Sequence, residues 1–207
     1  MDMTAEAAIP PSSNATMPRG HAHARLSATD WEHGALDMIA ELGVAGLAIE
    51  ALARRLGVTK GSFYWHFKNR ESLLSAALQR WESDDTHELE RHIGAVGDNP
   101  RERLGALFRW VSGEIQPHRV YAALLQALDH PLVKPMMMRV SQRRMDLLEV
   151  AFRQAGLAAE HAGHRARLTY AAYVGFLQLN VALELPHLSH EQYDAYVEHV
   201  IEALVPD

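Results

Sequence analysis

No cysteine occurs among the 207 residues, so disulfides and thiolate metal centres are excluded and a reducing compartment suits the chain. Long hydrophobic runs are missing too, since none approaches the roughly 18 uninterrupted apolar residues of a membrane span. Residues 1–25 lack the basic start and apolar stretch of a signal peptide, and their Ala, Pro, Ser, Thr and Asn content reads as a disordered tail. The expected location is the cytoplasm. Catalytic signatures are equally scarce: no Gly-rich phosphate loop, nucleophile elbow or paired-carboxylate constellation occurs, so neither an enzyme nor a cofactor is expected. Strand-like alternation and internal repeats are absent as well, which leaves an all-α chain.

A net positive charge is also lacking. The formal charge is −6, which taken whole argues against a nucleic-acid partner. Its distribution argues the other way. Between Glu50 and Arg80 the six cations Arg54, Arg55, Lys60, Lys68, Arg70 and Arg80 meet two carboxylates, Glu50 and Glu71; the local charge is +4 and the remainder carries −10.

Inside that basic stretch lies the most informative pattern, LAIEALARRLGVTKGSFYWHFK, Leu47 to Lys68. Ile49, Leu52, Ala53 and Leu56 recur at i, i+3, i+4 and i+7, the stripe of a helix facing a core. Gly57 then offers the left-handed backbone that ends a helix, and Val58 plugs the turn. Thr59 stands where a cap is wanted for a second helix running to Phe67. Phe63 and Phe67, four apart, point inward. This leaves Thr59, Lys60, Gly61, Ser62, Tyr64, Trp65, His66 and Lys68 facing outward. Three hydrogen-bonding rings on one solvated face forfeit burial energy unless something covers them, and a DNA major groove does so. The pattern is a helix-turn-helix.

The run from Leu26 to Trp81, above all Gly57 to Leu74, resembles the N-terminal DNA-binding domain of the TetR family of bacterial transcriptional repressors. The residues that carry the resemblance are Gly57, Val58, Thr59, Gly61, Tyr64, His66 and Phe67. Two departures stand out. Leu47 and Ala48 occupy positions where the family usually has threonines, a cap and a phosphate contact. Arg70 replaces the usual lysine, keeps the charge and is expected to reach a phosphate. The resemblance implies a double-stranded operator with palindromic sequence, a homodimer, a small-molecule effector of unknown identity that releases the DNA, and no membrane partner.

Three units are expected: a tail over 1–25, a three-helix DNA-binding domain over 26–81, and a C-terminal effector-binding and dimerisation domain over 82–207. In the first helix Thr29 and Glu32 read as a capping box ahead of the stripe Trp31, Ala35, Ile39 and Leu42. A helix capped by Asn69 begins at Arg70 and turns polar after Trp81, as a connector between two cores would. Further helices start at Asn99–Pro100, break near Pro117 and at residues 129–135, and run from Met136 to Ala155. The last two, at about 161–185 and 189–205, hold more apolar surface than one subunit covers and are expected to build the dimer. Phe108, Trp110, Tyr121, Met137, Phe152, Tyr173 and Phe176 are candidate lining for an effector pocket. His161 with His164 and His187 with His190 have metal-like spacing, but no cysteine or carboxylate completes either set, so no metal is expected. The alternative reading is a helical ligand- or metal-binding protein, or a histidine enzyme, in which the helix-turn-helix is only structural.

Overall fold

The computed structural model describes residues 26–95, 99–113, 115–179, 183 and 188–205; the side chains of 92–95, 100, 110–113, 115–117 and 190 fall outside the description. The expected tail over 1–25, together with Pro186 and His187, therefore lies outside the described residues. The helices are α1 (Ala28–Leu42), α2 (Ile49–Arg55), α3 (Lys60–Phe63), α4 (Arg70–Ala95), α5 (Pro100–Gly113), α6 (Ile115–Leu125), α7 (Val133–Gln154), α8 (Ala159–Leu177) and α9 (His190–Leu204), with a 3-10 turn at Val44–Gly46. No strand occurs among the described residues. The all-α expectation holds.

Helix α1 starts two residues earlier than the Thr29 and Glu32 pattern suggests. The cap is Ser27, whose hydroxyl accepts from the Asp30 N–H at 3.2 Å while the Asp30 carboxylate accepts from the Ser27 N–H at 2.7 Å. Two overlapping capping patterns compete here, and the earlier one wins because it leaves Thr29 and Glu32 free to bind Arg80 of α4. Trp31, Ala35 and Ile39 are buried as the stripe requires, but Leu42 is 60% exposed and Met38 takes its place inside. Gly43, at φ 72°, ends the helix in a conformation only glycine adopts cheaply.

Two apolar cores hold the molecule. The first joins Trp31, Leu52, Phe63, Leu74 and Trp81 of the N-terminal helices to Tyr121 and Leu124 of α6, Met137 and Val140 of α7 and Leu177 of α8. The second gathers Leu104, Leu148, Phe152, Ala166, Val197 and Ile201 from α5, α7, α8 and α9. The boundary expected at 81/82 thus falls inside a 26-residue helix, and the first core crosses it. Apolar side chains of α1 and α6 cannot be separated without exposing that core to water.

Prolines act as helix starters more than as breaks. Helix α6 is described from Ile115, so Pro117 sits in its first turn, where its missing N–H has no intrahelical partner to lose. Pro135 occupies the first turn of α7 in the same way, which lets that helix begin at Val133, three residues ahead of the expected Met136. Asn69 caps α4 as expected, accepting from the Ser72 N–H at 2.8 Å. Ser189 and Gln192 form the expected capping box of α9.

Candidate nucleic-acid interface

Helix α2 and the short α3 are joined by Arg54-to-Gly57 and Ala53-to-Val58 backbone bonds, with Gly57 at φ 70° making the reversal. Leu52 and Ala53 are buried, and Ile49, Leu56 and Val58 pack against the same core, as the stripe predicts. The second helix is shorter than expected. Regular structure covers only Lys60–Phe63, and residues 64–66 form successive turns before Phe67 returns to the core. The physical reason is the pull of two anchors: Phe63 and Phe67 are both buried with ring centroids 5.7 Å apart, and the bond from the Phe67 N–H to the Phe63 carbonyl sets their spacing without a longer helix.

Thr59 is at the cap position but its side chain makes no capping bond; the Ser62 hydroxyl donates back to the Thr59 carbonyl at 2.9 Å instead. Around this turn Thr59, Lys60, Gly61, Tyr64, Trp65, His66 and Lys68 are exposed and Ser62 is half-buried. Tyr64 is 55% and Trp65 80% exposed, although rings of this size normally seek burial. The Tyr64 ring is not loose: it meets Phe63 edge-on with centroids 5.2 Å apart. The Lys60 ammonium pairs with Glu50 of α2, and this pairing raises the Lys60 pKa and lowers that of Glu50. Any anion approaching Lys60 would compete with this carboxylate. Arg55 is engaged in a two-pronged pair with Glu41, both contacts at 2.6 Å.

Leu47 and Ala48, two of the three residues that depart from the TetR pattern, are placed differently. Leu47 is buried, so the position serves the core and offers nothing to a phosphate. Ala48 is the backbone cap of α2, with extended φ −125° and ψ 126°, and has no side-chain oxygen to accept a first-turn N–H. Ala48→Ser is expected to raise the unfolding free energy by about 0.5–2 kcal/mol, read from urea melts.

Arg70 does not face outward as a phosphate contact would. Its Nε donates to the Leu47 carbonyl at 2.7 Å and its Nη2 to the Val44 carbonyl at 2.6 Å, while Nη1 pairs with Glu71 at 2.8 Å. The guanidinium staples the start of α4 to the strap between α1 and α2, leaving α3 to be held from both sides. Arg70→Gln leaves two part-buried carbonyls without their charged donors, and the expected cost is about 1.5–3 kcal/mol of stability by urea unfolding.

The six proposed pocket residues whose side chains are described divide between the two cores. Phe108 and Phe152 belong to the second core and Met137 to the first. Phe176 stacks on Tyr196 of α9 with centroids 5.5 Å apart, and the Trp110 side chain lies outside the described residues. Tyr121 and Tyr173 do meet, at 5.7 Å, and they meet over a residue not foreseen: Arg144 of α7, whose guanidinium carbon is 4.5 Å from the Tyr121 ring and 5.5 Å from the Tyr173 ring. Arg144 pairs with Asp85 of α4. The Tyr121 and Tyr170 hydroxyls bond each other, Tyr170 donates to Ser141 at 2.8 Å, and Tyr173 bonds His118 Nδ1 at 2.8 Å. Burial pushes the Tyr173 hydroxyl up to about 12 and that of Tyr121 higher still, so both stay neutral donors. The sequence holds acids after Trp81 and arginines at 139, 143 and 144, and the fold brings the two sets together.

His161 and His164 are exposed, and the side chains of His187 and His190 lie outside the described residues. Among the described residues no three of His, Cys, Asp or Glu come together as a metal site would need, and no helix is long and apolar enough to cross a membrane.

Comparison with known proteins agrees with this geometry. The sequence model described as bacterial regulatory proteins, tetR family, matches residues 33–77. The tetracycline repressor protein class A from transposon 1721 of Escherichia coli is 43% identical over 58 residues, 28% of this chain and 27% of that protein. The HTH-type transcriptional regulator AcrR of Shigella flexneri is 25% identical over 169 residues, 82% of this chain and 61% of that protein. The chain thus spans less than two thirds of the length of either relative. In fold, it aligns with a transcriptional regulator of the TetR family from Agrobacterium tumefaciens at a TM-score of 0.72 and 16% identity, covering 86% of this chain and 97% of that one.

Proposed function

We propose that the chain, which matches the bacterial regulatory proteins of the tetR family over residues 33–77, is a cytoplasmic, homodimeric transcriptional repressor that reads a palindromic operator and releases it when a small molecule binds the C-terminal helices. One observation carries the reading: Lys60, Tyr64, Trp65, His66 and Lys68 stand exposed together on the far side of a turn whose Phe63 and Phe67 are buried. Cations there meet phosphates and the rings meet base edges and sugar. Arg70 leaves the list of contacts and becomes the staple that positions them.

The dimer reading draws on the last helices. Leu168, Leu179, Leu183, Leu188 and Tyr196 are exposed apolar groups on or beside α8 and α9, a surface suited to a second copy of the same helices. A two-fold pair would present two α3 turns to successive major grooves. The division of labour proposed, DNA reading over 26–81 and effector binding with dimerisation over 82–207, is one of surfaces; the core beneath is shared.

Selection from a random duplex library followed by binding at increasing salt tests the proposal. Enrichment of an inverted repeat, bound by two chains with an affinity that falls steeply as salt rises, is the expected result, together with derepression of a reporter when the gene is deleted. No enrichment, or binding equal for all duplexes, would overturn it.

A further inference from the structure

Arg144 and Asp85 are both largely withdrawn from water, 17% and 14% exposed, as are Arg80 and Glu32 at 29% and 12%, whereas the Arg55–Glu41, Lys60–Glu50 and Arg109–Glu198 pairs are far more solvated. The pair belongs to a row of contacts between α4 and α7. Arg139 grips Glu82 with two bonds at 3.0 and 2.6 Å; Arg143 bonds Thr86 and reaches the same Glu82 at 3.6 Å; Arg144 takes Asp85. Arg139 and Arg143, 56% and 39% exposed, share Glu82, while the withdrawn Arg144 has Asp85 to itself. Asp85 holds Arg144 through a single oxygen, while a guanidinium can accept a carboxylate at two N–H groups at once.

The surroundings narrow what could take the place of Asp85. The Tyr121 and Tyr173 rings flank the guanidinium, and Trp81 lies 6.0 Å from Tyr121, so the body of a partner would touch aromatic faces. Tyr173 and its bonded His118, and the Tyr121–Tyr170–Ser141 chain, supply hydroxyls that reorient toward an acceptor. A neutral molecule that displaced Asp85 would leave Arg144 charged and unpaired in a poorly solvated place, and a cation would be repelled outright. An anion keeps Arg144 paired, and the exchange then requires the released Asp85, 14% exposed, to turn toward solvent.

We propose that Arg144 is the anchor for an organic carboxylate with a small aromatic or alkyl body, and that this carboxylate replaces Asp85 on the guanidinium. The inference rests on the reading that the C-terminal helices bind the effector and names its chemical class. It also supplies the coupling. Asp85 is on α4, the helix that begins at the DNA-reading turn, so exchanging it for a free anion removes one of the ties between α4 and α7 and gives ligand and DNA opposite preferences for the tied state.

The test uses the full chain without DNA, with benzoate and propionate as probes and benzamide and propionamide as their uncharged counterparts. Calorimetric titration and thermal unfolding are followed for the wild type, Asp85→Ala and Arg144→Gln. In Asp85→Ala the internal competitor is gone, and at about ten times its Kd at least one carboxylate should raise Tm by roughly 3–6 °C over chloride of equal ionic strength. The matching amide should not. Wild type should bind the same carboxylate at least tenfold more weakly than Asp85→Ala, and Arg144→Gln should lose it. Asp85→Asn carries the same test if Asp85→Ala does not fold. Equal stabilisation by acid and amide, retention of the effect in Arg144→Gln, or no response to either carboxylate in the Asp85 variant would overturn the proposal. Because no duplex is present, those outcomes refute the anion anchor alone, whereas a failed duplex selection refutes the DNA reading and leaves this result standing.

Discussion

Phe63→Ala is expected to lower the unfolding free energy by about 3–5 kcal/mol, the range for emptying a fully buried aromatic site. Phe63 has no exposed surface, meets Trp31 edge-on at 5.4 Å and lies against Phe67 and Tyr64. Leu52 of α2 and Leu73 and Leu74 of α4 share its core, and residues held by two different helices cannot all move inward to refill the space. Urea unfolding followed by far-ultraviolet circular dichroism measures the effect. The same melt examines the shared core: since the first cluster runs from Trp31 through Tyr121 to Leu177, the C-terminal helices should unfold with the N-terminal ones in one transition. A loss under about 1 kcal/mol would place Phe63 outside the structural centre assigned to it.

Trp65→Ala and Tyr64→Ala should show the opposite pairing of effects. Both rings are largely solvent-facing, so stability should change by no more than about 0.5 kcal/mol. Affinity for the selected operator should fall by roughly ten- to a hundredfold for each, as expected when one well-placed base or sugar contact is removed. Lys68→Ala should act differently again: it should weaken specific and random duplexes alike and reduce the slope of log K against log salt by about one. Fluorescence anisotropy across a salt series separates the two classes. If Trp65→Ala and Tyr64→Ala bound the operator as the wild type does, the face beyond α3 would not be the reading surface.

The helix-turn-helix was legible in the sequence because its information is local. The Ile49, Leu52, Ala53 and Leu56 stripe, the glycine at 57 and the Phe63–Phe67 spacing each constrain backbone within a few residues, and the folded chain keeps all of them. The same locality explains the Asn69 and Ser189 caps. It also explains the errors nearby. Ser27 and Thr29 offer equivalent caps in isolation, and the choice between them is made by Arg80, which is about fifty residues away in sequence and bonds both Thr29 and Glu32. Charge type at position 70 suggested a phosphate contact, but the carbonyls of Val44 and Leu47 arrive there only when the strap folds over the start of α4.

The sequence by itself determined that the chain is helical, where the helix-turn-helix reverses, and which face beyond Gly57 is left exposed, because periodicity and turn chemistry act over one or two helical turns. Tertiary structure alone decided that Arg70 serves the scaffold, that the N-terminal helices share a core with α6 and α7, that the candidate pocket residues part company, and that Arg144 meets Asp85 beneath two tyrosine rings. Those outcomes depend on which groups from distant segments share a poorly solvated space, where a charge must find its partner or stay costly, and no pattern within a single helix carries that information.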